Sequence, residues 1–173
     1  MNIFCSNPLA QFLSKQKAIE NSVKKVLKSP NYILGKEVKK FEKNFSNFIG
    51  TKYGVGVANG TDAIEIALKT LNIGPGDEVI TVSHTALATV SAIISTGAKP
   101  VLVDIDQERY TINLSMIEKN ISKKTKALVL VHIYGQSTEI DKVIKICKKN
   151  KIKLIEDTSQ AHCGKWKKKY LGS

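Results

Sequence analysis

The sequence predicts an α/β protein, a mostly parallel sheet with helices on both faces. Three observations carry that prediction. From Tyr53 onward short apolar runs alternate with segments of helical periodicity. The apolar runs are nearly continuous rather than alternating, which is the pattern of strands buried on both faces. Polar residues gather where the runs end, as they do where ligands bind beyond the carboxyl ends of parallel strands.

In chain order, Asn7-Pro8 reads as a helix start, with Asn as N-cap and Pro at the first helical position. Phe12, Ile19, Val23, Val26 and Leu27 follow at helical spacing, and the helix should stop before Pro30. A second helix begins near Lys36 and ends at Gly50. Its stripe of Val38, Phe41, Phe45 and Phe48 is most simply core. Strands are then expected over residues 54–58, 78–82, 100–104, 127–132 and 152–156. Helices are expected over 61–71, 86–95, 115–121 and 138–150. Such alternation builds right-handed βαβ units. Residues 1–52 are thus an N-terminal helical segment and 53–173 a sheet domain, with Lys165 to Lys169 as the solvated turn of a hairpin.

Composition narrows the function. The chain has 173 residues, 42% hydrophobic and 24% charged, enough for one core. Net charge is +12, almost wholly from lysine, since Arg109 is the single arginine. Nucleic-acid binders lean on arginine forks, and these lysines are scattered, so a solvated basic surface is the simpler reading. The interleaved run Lys165-Trp166-Lys167-Lys168-Lys169-Tyr170 is the best local argument for nucleic acid, and it is short and solitary. Cys5, Cys147 and Cys163 are widely spaced, which suggests neither a disulfide framework nor a zinc site. No leader and no membrane-length apolar run is present, so a soluble, cytoplasmic protein is expected.

Four polar groups stand at strand ends and should converge on one rim: Asn59 to Asp62, Ser83 to Thr85, His132 to Gln136 and Asp157 to His162. Asn59-Gly60-Thr61-Asp62 precedes a helix, whose free N–H groups and dipole favour an anion such as phosphate. A plain N-cap explains the same residues. Gly54, Gly56 and Gly60 do not make a dinucleotide fingerprint, because Asn59 stands where the third glycine belongs. Asp157 ends a buried strand, where an unpaired carboxylate is costly. A protonated pyridine nitrogen is one cation that would meet it, as in pyridoxal phosphate (PLP) chemistry. Capping of the next turn is the other explanation.

Seven segments, in order, resemble one family. They are Gly35-Lys36-Glu37-Val38 with Phe41-Glu42; Asn59-Gly60-Thr61-Asp62-Ala63; and Gly74-Pro75-Gly76-Asp77-Glu78-Val79. Next come Ser83-His84-Thr85 with Ala88-Thr89, and Gly97-Ala98-Lys99-Pro100 with Val103-Asp104-Ile105-Asp106. Val131-His132-Ile133-Tyr134-Gly135-Gln136 and Glu156-Asp157 with Gln160-Ala161-His162 complete the set. Together they look like the DegT/StrS family of PLP-dependent nucleotide-sugar aminotransferases.

The resemblance implies the fold type I, aspartate-aminotransferase-like large domain, here truncated, in a homodimer. It implies transfer of an amino group from an amino acid, usually glutamate, to a nucleotide-linked keto-sugar. Asp157 matches the acid at the pyridinium nitrogen, and Gln160 the residue beside the phenolic oxygen. Gly60, Thr61 and the backbone of Asp62 match the phosphate cup, and His84 with Ala86 the loop over the ring. Relatives carry an aromatic residue at the position of Ala86 and glycine at that of Cys163. At His84, helix capping competes with a role over the ring; at His132 and Tyr134, strand-end packing competes with substrate contact. The family's Schiff-base lysine falls beyond Ser173, so the chain alone is expected to be inactive and to leave a sheet edge exposed. Two alternatives stay open: a PLP-dependent sugar dehydratase with histidine in place of that lysine, and a non-catalytic regulatory or nucleic-acid-binding module on the same fold.

Overall fold

A computed structural model describes residues 6–173, which leaves Cys5 outside the described residues. The chain forms two units, Met1–Phe45 and Ser46–Ser173. In the first, helix α1 (Pro8–Leu27) begins as its sequence requires, with Asn7 Oδ1 accepting from the Ala10 N–H at 3.0 Å. Helix α2 (Lys36–Ile49) ends before Gly50 and continues into the second unit. An exposed ion pair joins Lys25 Nζ to Glu37 Oε1 at 2.6 Å.

The aromatic stripe of α2 departs from expectation. Phe41, Phe45 and Phe48 are 61%, 40% and 49% exposed rather than core. Apolar residues at helical spacing define a face, but burial requires a second surface against it. The rings of Phe41 and Phe45 stack on each other instead, with centroids 5.5 Å apart.

The second unit is built on four parallel strands, β1 (Glu78–Val82), β2 (Lys99–Val103), β3 (Thr125–Val131) and β4 (Lys153–Asp157), in the order β2-β1-β3-β4. Helix α3 (Gly60–Thr70) precedes β1, α4 (Leu87–Ser95) joins β1 to β2, and α6 (Ile140–Lys149) joins β3 to β4. A short helix α5 (Leu114–Ile117) and a 3₁₀ turn (Glu118–Asn120) replace the longer helix expected over 115–121. The central strands carry the core: Val79, Ile80, Ala127, Leu128 and Val129 are all 0% exposed. Thr81, equally buried, satisfies its hydroxyl by donating to the Val129 carbonyl at 3.0 Å.

Residues 54–58 form no strand. Their composition suits an extended segment, but a strand exists only where a neighbour completes its ladder, and no described strand lies beside them. The expected hairpin is present as β5 (Lys165–Trp166) and β6 (Lys169–Tyr170). Its turn is less free than its lysines suggest, because Lys167 pairs with Asp141 and Trp166 Nε1 donates to Asp141 Oδ2 at 3.2 Å. Among the described residues no helix is long and apolar enough to cross a membrane.

Candidate active site

Because all four strands run the same way, their carboxyl ends at Val82, Val103, Val131 and Asp157 share one rim. A cavity of about 170 Å³ opens there. The start of α3 contributes Gly60, Thr61 and Ile64; the β1–α4 turn and α4 contribute Thr85, Ala86, Ala88 and Thr89. Val131 and Ile133 line it from β3 and the turn after it, and Asp157, Ser159 and Gln160 from β4 and its following loop. Hollows of about 460 Å³ flank the β5–β6 hairpin and the 106–115 loop, but neither joins a helix start to Asp157.

Asp157 sits at the strand tip with its oxygens unequally used. Oδ1 accepts from the Ser159 N–H at 3.0 Å and the Ser159 hydroxyl at 2.6 Å. Among the described residues Oδ2 has only the hydroxyl of buried Thr89 at 3.5 Å, and Thr89 is itself tied to Thr85 at 3.0 Å. None of the ion pairs among the described residues includes Asp157. A carboxylate oriented by neutral donors, with one oxygen under-used, is suited to accept from a cationic N–H.

Across the cavity, Asn59 caps α3, its Oδ1 accepting from the Asp62 N–H at 2.9 Å. In this structure the backbone donor of Asp62, expected to face the phosphate, is engaged by that cap. Gly60 and Thr61 head the helix, where the first N–H groups have no partner within it, and they remain the anion-facing donors. A Cβ on Gly60 would stand 3.3 Å from Ser159 Oγ, so a side chain at the helix start would press on the loop after β4, which would have to give by a few tenths of an ångström.

Gln160 lines the cavity with its orientation set. Its Oε1 accepts from the Tyr134 N–H at 2.9 Å, which leaves the NH₂ group as the free end. Tyr134 makes that bond from a left-handed backbone, φ 57°. Ala86 also lines the cavity, whereas His84 does not: its Nε2 is 3.0 Å from the Tyr134 hydroxyl, and its ring takes no part in the lining. Sequence reasoning passed over Ser159 and Thr89. The Asp-x-Ser spacing was the available signal for Ser159, since an Asp oxygen commonly accepts from the N–H two residues on.

Residues 14–173 match the DegT/DnrJ/EryC1/StrS aminotransferase family. The chain belongs to that family. Over 158 residues it is 45% identical to dTDP-3-amino-3,6-dideoxy-alpha-D-galactopyranose transaminase of Aneurinibacillus thermoaerophilus, covering 91% of this chain and 44% of that one. Its fold superposes on S. venezuelae DesV, solved in complex with a ketimine intermediate, with a TM-score of 0.87 and 37% identity over 88% of this chain and 41% of DesV. It also superposes on the PLP form of the putative sugar aminotransferase Spr1654 of Streptococcus pneumoniae (TM-score 0.84, 28% identity, 89% and 43% coverage). The chain therefore spans about half the length of the curated relatives it matches.

Proposed function

We propose that this chain supplies the N-terminal part of a PLP-dependent aminotransferase that moves an amino group from an amino acid, with glutamate as donor, to a nucleotide-linked keto-sugar. The observation that carries the reading is the single cavity in which the start of α3 and the carboxylate of Asp157 face one space. PLP needs an anion site for its phosphate, an acid for its ring nitrogen and room between them, and the residues present fit that demand. The match to a sugar transaminase and to a neighbour in its PLP form supports both the coenzyme and the substrate class.

When bound, the coenzyme supplies a pyridinium ring that accepts electrons while the amino group is handed over. Gly60 and Thr61 would hold the phosphate through N–H groups and a hydroxyl, aided by a helix dipole worth about 0.3–1 kcal/mol. Asp157 Oδ2 would accept from the coenzyme's ring nitrogen and hold its proton in place, a charge-assisted bond of about 1.5–3 kcal/mol. Ser159, fixed on Oδ1, keeps the carboxylate from turning away. The NH₂ of Gln160 would be the group left to donate to the coenzyme's phenolic oxygen, because its other end is committed to Tyr134. Ala86 sets one wall without filling it. On this reading the working enzyme is a homodimer of full-length chains.

Asp157→Asn in the full-length protein tests the reading. Transamination should fall at least a hundredfold while the phosphate-anchored coenzyme is retained; full activity in this variant would remove the role given to the acid.

A further inference from the structure

Consecutive residues on a strand face opposite sides, so at the tip of β4 Asp157 looks into the cavity and Glu156 looks away from it. Glu156 is nevertheless heavily engaged. Its Oε2 accepts from His132 Nε2 at 3.0 Å and from the Gly172 N–H at 3.1 Å. His132 is 1% exposed, its backbone N–H donates to the Asp157 carbonyl at 3.0 Å, and its buried Nδ1 has no partner among the described residues. The imidazole proton therefore belongs on Nε2, where the carboxylate can take it, and that bond is the only one this side chain makes among the described residues.

Gly172 follows the β5–β6 hairpin in the segment that leaves β4, and it reaches Glu156 from a left-handed backbone, φ 80°. The loop is closed along its length, with Ala161 N–H on the Thr158 carbonyl at 2.9 Å and Leu171 N–H on the Gly164 carbonyl at 3.0 Å. Ser159 and Gln160, which line the cavity, ride on this loop. One carboxylate oxygen thus joins the end of β3, the tip of β4 and the last turn of the loop that carries the cavity wall.

We propose that Glu156 is a positioning residue for the coenzyme cavity: by pinning Gly172 and His132 to the β4 tip it holds Ser159 and Gln160, and through Ser159 the Asp157 carboxylate, in register with the start of α3. The proposal rests on the reading of the cavity as a PLP site. Its mechanical part, the pinning, does not.

The test uses Glu156→Ala and Glu156→Gln in the full-length protein, with equilibrium titration of PLP and amide hydrogen exchange of the coenzyme-free protein. E156A should lose about tenfold in PLP affinity, the scale of losing a bond to a charged acceptor. Exchange should quicken across residues 158–172 while the β1 and β3 core stays protected. E156Q keeps an oxygen able to accept both N–H groups, so it should restore both readouts. A role in general stability alone would not single out this loop. E156A that binds and exchanges like wild type overturns the proposal, as does E156Q as impaired as E156A. If E156A does not fold, Gly172→Ala disturbs the other end of the link through backbone strain at φ 80° and should show the same two changes; unchanged loop exchange and affinity in that variant would overturn the proposal as well. Wild-type protein that fails to bind PLP would refute the proposed function, and loop exchange in E156A would still decide the pinning.

Discussion

Gly60→Ala is a substitution whose effect can be worked from the structure. The added Cβ would stand 3.3 Å from Ser159 Oγ, tight enough that the neighbour must give by a few tenths of an ångström. Ser159 Oγ cannot yield freely, because it donates to Asp157 Oδ1 at 2.6 Å. Moving it by a few tenths of an ångström weakens a bond to a charged acceptor, at a cost of about 1 kcal/mol or roughly fivefold in coenzyme affinity. The helix itself does not suffer, since alanine is the better helix former. PLP titration of the full-length protein should therefore show a five- to tenfold loss with no fall in melting temperature. In a double-mutant cycle with Ser159→Ala, the alanine at 60 should cost little more once the hydroxyl is gone. Additive losses, or unchanged affinity in Gly60→Ala, would refute the claim that this close approach shapes the site.

Three further outcomes follow from the structure. Burial pushes the Cys147 thiol up to about 11, so at neutral pH it should resist alkylation while exposed Cys163 reacts, as peptide mapping after a brief iodoacetamide pulse would show. Asp141 is held below the usual carboxylate range by its bond from Lys167 and then by that from Trp166. A depressed acid stabilises the folded form above its unfolded value and loses that contribution as pH falls through the folded one. Trp166 fluorescence should thus shift only below the ordinary carboxylate range, with the transition absent in Asp141→Asn; a Trp166→Phe control identifies the signal. Leu128→Ala, at a fully buried position of the central strand β3, should destabilise by about 2–5 kcal/mol in urea unfolding.

The sheet was legible because its strands are continuous apolar runs and its helices keep their period, so β1 and α1 fall where the residues place them. Elements failed where the deciding partner was not local. Residues 54–58 have the composition of a strand but pair with no described strand, and the phenylalanines of α2 share a face that stays largely exposed. At the site, Asp157, Gln160, Gly60, Thr61 and Ala86 share the cavity because strand ends converge by topology, which sequence order conveys. Asp62 and His84 are engaged elsewhere, by Asn59 and Tyr134, and such competition between hydrogen-bond partners is settled only in three dimensions. The pairing of Glu156 with His132 across 24 positions was invisible for the same reason.

The central claim is that one coenzyme bridges the start of α3 and the carboxylate of Asp157. Nitrogen-15 NMR of full-length protein loaded with ring-labelled PLP tests it most directly. A protonated ring nitrogen in the wild type that becomes a neutral pyridine in Asp157→Asn, with the phosphate still bound, is the result expected. The same nitrogen shift in both proteins would show that Asp157 does not face the ring.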